Sequence, residues 1–167
     1  MLKLVRHIVA ATLILGAASP ALALDAATGR PILTVSGQIA NKNAGNDAQF
    51  DAAMLDKLPQ QKLTVETPWY KEAQTFEGPL FRDVIKQVGI KGKKLYVVAL
   101  NDYAAEIPLS DLEKYDVVLA RKINGKVLNV RDKGPLFIIY PFDKKPELRT
   151  KEIYSRCVWQ VNRIRVE

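Results

Sequence analysis

Residues 124–141, NGKVLNVRDKGPLFIIYP, restrict the fold of this 167-residue chain more than any other stretch. Asn124-Gly125 is a two-residue hairpin signal, because both central positions of such a turn favour positive φ. The turn opens a short strand over residues 126–130, which runs into three consecutive charges, Arg131, Asp132 and Lys133. Gly134 and Pro135 then interrupt regular structure just before residues 136–140, LFIIY, a wholly apolar run that reads as a core strand. A charged loop is thereby tied at one end to a buried strand, an arrangement in which a ligand can be read.

At the start of the chain, Lys3, Arg6 and His7 precede an uncharged apolar run over residues 8–18, followed by Ala21-Leu22-Ala23. The pattern is that of a secretory signal peptide. Its apolar run of about 11 residues falls short of the ~20 a bilayer requires, so cleavage is expected rather than a retained anchor. Residues 1–23 are read as the signal peptide and residues 24–167 as a single domain of about 144 residues, long enough to bury a sizeable core.

The formal net charge of +7 falls to about +5 once the cations of the leader are set aside. The basic residues are dispersed and no nucleic-acid motif accompanies them, so nucleic acid is not expected as a partner. Either a soluble basic surface or attraction of an anionic ligand or acidic partner accounts for the excess. Cys157 is the only cysteine, which excludes an internal disulfide, and His7 is the only histidine. Beyond the leader the chain therefore offers neither a His/Cys zinc site nor a histidine-based triad.

The element pattern predicts α+β architecture with a mixed sheet. Strands are predicted over residues 31–39, 62–66, 95–100, 103–107, 116–123, 126–130, 136–140 and 159–166, with residues 95–100 buried on both faces. A helix is predicted over residues 50–58 and another from Pro79 to a stop at Gly89, after a loop running to Gly78. A third short helix is predicted after Pro108, with Ser110 as its cap and Glu113 completing a capping box. Residues 142–150 read as an irregular charged segment.

Several motifs resemble, in order and spacing, the molybdopterin-binding domain of sulfite-oxidase-type oxidoreductases. They are Phe76-Glu77-Gly78-Pro79-Leu80-Phe81-Arg82-Asp83-Val84, Asn101-Asp102-Tyr103 with Ile107-Pro108-Leu109, Leu119-Ala120, Asn124-Gly125, Gly134-Pro135 and Tyr140-Pro141. The likeness covers about residues 63–166 and implies a sulfite-oxidase-like molybdopterin-binding fold in a single domain. In enzymes of that family a cysteine thiolate ligates molybdenum; gapless matching from Trp69 and Pro79 puts that position near Val65, which has no donor. Such enzymes usually carry a twin-arginine leader, and Lys3 and Arg6 are not adjacent. The chain is most similar to small periplasmic pterin-binding regulatory proteins that lack the cysteine. The resemblance implies a pterin ligand without molybdenum, no metal, no catalysis, and a partner in the periplasmic region of a membrane cyclic-di-GMP synthase or phosphodiesterase.

A pterin needs an aromatic platform for its faces and convergent polar groups for its edge. Trp69, in the loop nearest the matched metal position, is the candidate platform; an ordinary core tryptophan is the competing reading. Asp102 and Tyr103 are candidates for the amino and ring N–H edge, although a turn-forming pair explains them equally. Arg131 offers a planar fork for a carbonyl or phosphate, with Asp132 as a second acceptor, against a surface salt bridge. Tyr154 and Arg156, read as alternating on one strand face, point into the same cleft; Trp159 reads as core and Cys157 as a small apolar filler. Two alternatives remain: a small periplasmic oxidoreductase whose pterin-bound molybdenum is held without a cysteine or through Glu66, and an accessory subunit with a degenerate pocket.

Overall fold

The computed structural model describes residues 24–167, so the predicted signal peptide lies outside the described residues. Strand β1 (Leu33–Gly37) buries Leu33 and Val35 and turns Thr34 and Ser36 outward, the period-two alternation of a sheet with one wet face. Its neighbours are β2 (Ala48–Phe50) and, in parallel, the C-terminal strand. Helix α1 (Ala52–Lys57) follows β2, capped by Asp51, whose Oδ1 accepts from the Met54 amide at 2.8 Å. This is the predicted helix, ending before Pro59.

Strand β3 (Gln60–Val65) pairs antiparallel along its whole length with β4 (Gln74–Pro79), from Gln60 opposite Pro79 to Val65 opposite Gln74. Residues 74–78 were expected as loop and Pro79 as the opening of a helix. Instead β3 templates a strand through Gly78 and Pro79, and α2 (Phe81–Val88) starts two residues later. Gly78 is required by close approach: a Cβ there would stand 2.2 Å from the Leu119 carbonyl oxygen. Helix α2 buries Phe81, Val84, Ile85 and Val88 and stops at Gly89, whose φ of 58° is left-handed.

Strands β5 (Lys94–Ala99) and β6 (Ala104–Pro108) form the expected hairpin. β5 is not buried on both faces, however: Leu95, Val97 and Ala99 point inward, while Tyr96 lies on the wet face, where its hydroxyl donates to Glu106. Helix α3 (Leu109–Lys114) begins directly after Pro108. Ser110 therefore sits inside the first turn, and the predicted capping box does not form.

The strand predicted over residues 116–123 splits into β7 (Val118–Ala120) and β8 (Lys122–Ile123). Between them Arg121 turns inward, its Nε and Nη2 each donating at 2.9 Å to the Asp56 carboxylate. The Asn124-Gly125 turn, with φ of 49° and 76°, connects β8 to β9 (Lys126–Val127) as predicted. Strand β10 (Phe137–Ile139) pairs with β7, and all three of its residues are buried. Helix α4 (Lys151–Arg156), where no helix was predicted, is capped by Thr150, whose side chain accepts from the Ile153 amide. Strand β11 (Val161–Val166) closes the chain between β1 and β5.

The result is a five-stranded sheet in the order β2-β1-β11-β5-β6, a four-stranded sheet in the order β3-β4-β8-β9, and the β10-β7 pair. Phe50, Phe76, Phe81, Phe137, Tyr140 and Phe142 are fully buried among them. One polar cluster penetrates this core: the Tyr140 hydroxyl and Arg156 Nη1 both donate to Asp111 Oδ2 at 2.8 Å. Burial first, then the Asp111 charge, push the Tyr140 hydroxyl pKa well above its ordinary value. Among the described residues no helix is long and apolar enough to cross a membrane.

Candidate functional site

Four segments converge on one cleft of about 260 Å³. The loop after β3 supplies Trp69, the β5–β6 turn supplies Asn101 and Tyr103, the end of α4 supplies Tyr154 and Ser155, and the chain entering β11 supplies Cys157, Val158 and Trp159. The walls are aromatic. Trp69 is the hub, with ring centroids 5.5 Å from Phe137, 5.8 Å from Trp159 and 6.0 Å from Tyr154, the last two edge-on. Edge-on packing of this kind holds each ring at a fixed angle. Tyr103 spans the cleft's outer side, donating from its hydroxyl to the Ser155 carbonyl at 2.9 Å.

The rim is held by one residue, Gln160. Its amide donates to the Lys133 carbonyl at 3.0 Å, its carbonyl accepts from Leu100 at 2.9 Å, and its Nε2 donates to the Val130 carbonyl at 2.7 Å. Asp102, Lys133 and Gln160 all have left-handed backbones, with φ of 62°, 68° and 55°. Such conformations cost about 1 kcal/mol or more each in a non-glycine residue, so three around one cleft mark a locally strained rim. At the floor, burial pushes the Cys157 thiol up to about 12, partly opposed by a hydrogen bond with the Tyr140 backbone. Burial thus disfavours the thiolate, which makes the free thiol a weak nucleophile.

The cleft therefore brings together three of the residues singled out from the sequence, Trp69, Tyr103 and Tyr154. The other four lie elsewhere. Asp102 turns to Arg163 on the wet face of the first sheet, accepting from Nη2 at 2.6 Å. Arg131 is exposed on the 3-10 turn Val130–Asp132, and Asp132 is engaged by Asn129, which caps that turn. Arg156 is turned into the core to Asp111. Its expected strand alternation with Tyr154 is wrong: both stand on α4, where residues two apart point to different sides, so Tyr154 faces the cleft and Arg156 the interior.

Asn101, Ser155, Cys157, Val158 and Trp159 were not put forward as site residues, yet they line the cleft. Trp159, read from the sequence as core, is 36% exposed. A tryptophan two residues past the only cysteine, beside a charged segment, was the available signal. Lys133, in the charged loop, holds its ammonium 4.9 Å above the Tyr70 ring and 5.9 Å above that of Trp159. The Tyr70 hydroxyl pKa is itself raised by burial and by the charge of Asp132.

The family model for the oxidoreductase molybdopterin binding domain matches residues 33–142 of this chain. That match ends before α4 and β11, so one whole wall of the cleft lies beyond it. A comparison with curated proteins finds no match. Among solved structures, the sulfane dehydrogenase SoxCD from Paracoccus pantotrophus is similar, with a TM-score of 0.58 and 18% sequence identity. The alignment covers 80% of this chain and 37% of that one, a likeness of fold in which this chain spans well under half of the longer protein.

Proposed function

This chain belongs to the oxidoreductase molybdopterin-binding domain family, and from that premise we propose that it is a periplasmic pterin receptor. It binds a free pterin without molybdenum, carries out no redox chemistry of its own, and in its loaded state engages the periplasmic region of a membrane protein that makes or breaks cyclic-di-GMP. The observation that carries the proposal is the aromatic cleft between Trp69, Tyr103, Tyr154 and Trp159. Its faces suit a flat heterocycle, and Asn101, Ser155 and the tyrosine hydroxyls supply the few polar groups an edge requires.

Size supports the free ligand. A cleft of about 260 Å³ is at the small end of ligand sites, which run from ~300 to ~1,000 Å³. Two fused rings fit such a space better than a tricyclic pyranopterin with its dithiolene and phosphate. The donor set supports the same reading. Cys157, the one thiol on the cleft, stands at the end of α4 and not in β3, where the resemblance puts the family's ligand. Val65, at the matched ligand position, is wholly buried in β3 and has no donor atom. The aromatic lining supports an organic ring as the ligand.

The role of the partner is supported by the rim. Leu100, Tyr103, Val130 and Trp159 are exposed around the cleft on segments tied together by Gln160. A ligand that orders this rim would change partner affinity by a coupling of roughly 1–3 kcal/mol. Titration of the protein with pterin and dihydroneopterin, followed by tryptophan fluorescence, tests the binding. Saturable quenching is expected, weakened about tenfold in Trp69→Ala by loss of one aromatic contact. A wild-type protein that shows no saturable quenching with either compound contradicts the proposal.

A further inference from the structure

We propose that Lys133 determines the specificity of this cleft by holding an anionic substituent, a phosphate or a carboxylate, carried by the pterin; the inference rests on the pterin reading above. Lys133 belongs to the charged loop that precedes Gly134-Pro135, and the proposed ring site leaves it unused. Its ammonium stands over Tyr70 and 5.9 Å from the ring centre of Trp159, a wall of the cleft. Among the described residues it forms no ion pair, and its ammonium rests against two aromatic faces. Asp132, next to it in sequence, accepts from Asn129 and acts by its charge on Tyr70, so a carboxylate lies near the ammonium without forming an ion pair with it.

The backbone keeps the ammonium in place. Lys133 has a φ of 68°, and its carbonyl accepts from Gln160, the residue that joins the rim segments. Aromatic faces stabilise an ammonium without neutralising it, so its charge is left for a ligand. Lys133 stands outside the lining of the cleft, so it would reach only a substituent that extends past Trp159. There a compact, hydrated ammonium suits an anionic oxygen better than a hydroxyl chain, and the net positive charge of about +5 beyond the leader favours anions in the same sense.

The test compares unsubstituted pterin with pterin-6-carboxylate and with dihydroneopterin phosphate, titrated against the wild-type protein, Lys133→Met and Lys133→Arg. The wild type is expected to bind at least one anionic compound about tenfold more tightly than pterin, the gain of one charge-assisted hydrogen bond, with a preference that fades as salt is added. Whichever anion shows the preference identifies the substituent. In Lys133→Met the ratio of affinities is expected to fall to about one, and in Lys133→Arg to be retained. Equal wild-type affinities, or a Lys133→Met protein that keeps the ratio while losing affinity for all three, would overturn the inference and leave the pterin reading standing. Binding of none overturns both.

Discussion

At the scale of single residues, Asp111 is the most consequential polar group in the core. One of its oxygens accepts from both Tyr140 and Arg156. Removing the carboxylate leaves the mostly buried Arg156 with only the exposed Glu152 as its partner. Asp111→Ala is therefore expected to cost about 3 kcal/mol, whereas Tyr140→Phe, which deletes one hydrogen bond and leaves the ion pair, should cost about 1 kcal/mol. Urea unfolding of the two variants measures both, and equal losses would contradict the arrangement. Cys157 makes a second expectation. Held at about 12 and 2% exposed, its thiol should resist aromatic disulfide reagents at pH 8 in the native protein and react at once in denaturant. That Trp69, Tyr103 and Tyr154 share one cleft was legible because each is an aromatic beside a turn or a charged segment. Arg156 misled because its period-two spacing with Tyr154 has meaning only on a strand, and the local backbone is helical.

At the scale of elements, caps decide the short helices. Thr150 caps α4, and Thr150→Ala should cost about 1 kcal/mol while loosening the wall that carries Tyr154 and Ser155. A stability loss without any change in pterin affinity would separate α4 from the site. At α1, Asp51 is buried and accepts from Met54, Gly29 and Thr28 amides, the first of these contributing most to a carboxyl held below its ordinary 3.8. A carboxyl lowered in the folded state stabilises the protein above the unfolded pKa, and that stability is lost as pH falls through the folded one. The acid limb of an unfolding curve measured from pH 6 to pH 2 should accordingly flatten in Asp51→Ala. Elements with a long apolar face or a diagnostic turn, such as α2 and the Asn124-Gly125 hairpin, could be read from the sequence. Helix α4 could not, since KEIYSR buries only Ile153 and offers no helical period. Strand β4 was hidden by Gly78 and Pro79, residues that discourage a strand but here permit its contact with β7. In Gly78→Ala that crossing is obstructed, and a loss of ~1–3 kcal/mol is expected.

At the scale of the whole molecule, the first and last strands lie side by side, with Val35 opposite Ile164, and β11 also holds β5. The five-stranded sheet cannot close until the C-terminus has arrived, so a chain ending at Gln160 should fail to fold, as circular dichroism and solubility would report. The same closure delivers Trp159 and Gln160 to a cleft whose other walls come from the segments after β3 and β5. A single domain of this family thus forms an aromatic site from its own late segments, and a free pterin is the ligand proposed for it. The most direct measurement is mass and fluorescence analysis of the compound released on denaturing protein isolated from its native host, with molybdenum determined on the same sample. Stoichiometric pterin without molybdenum is expected. Stoichiometric molybdenum released together with a pyranopterin would contradict it.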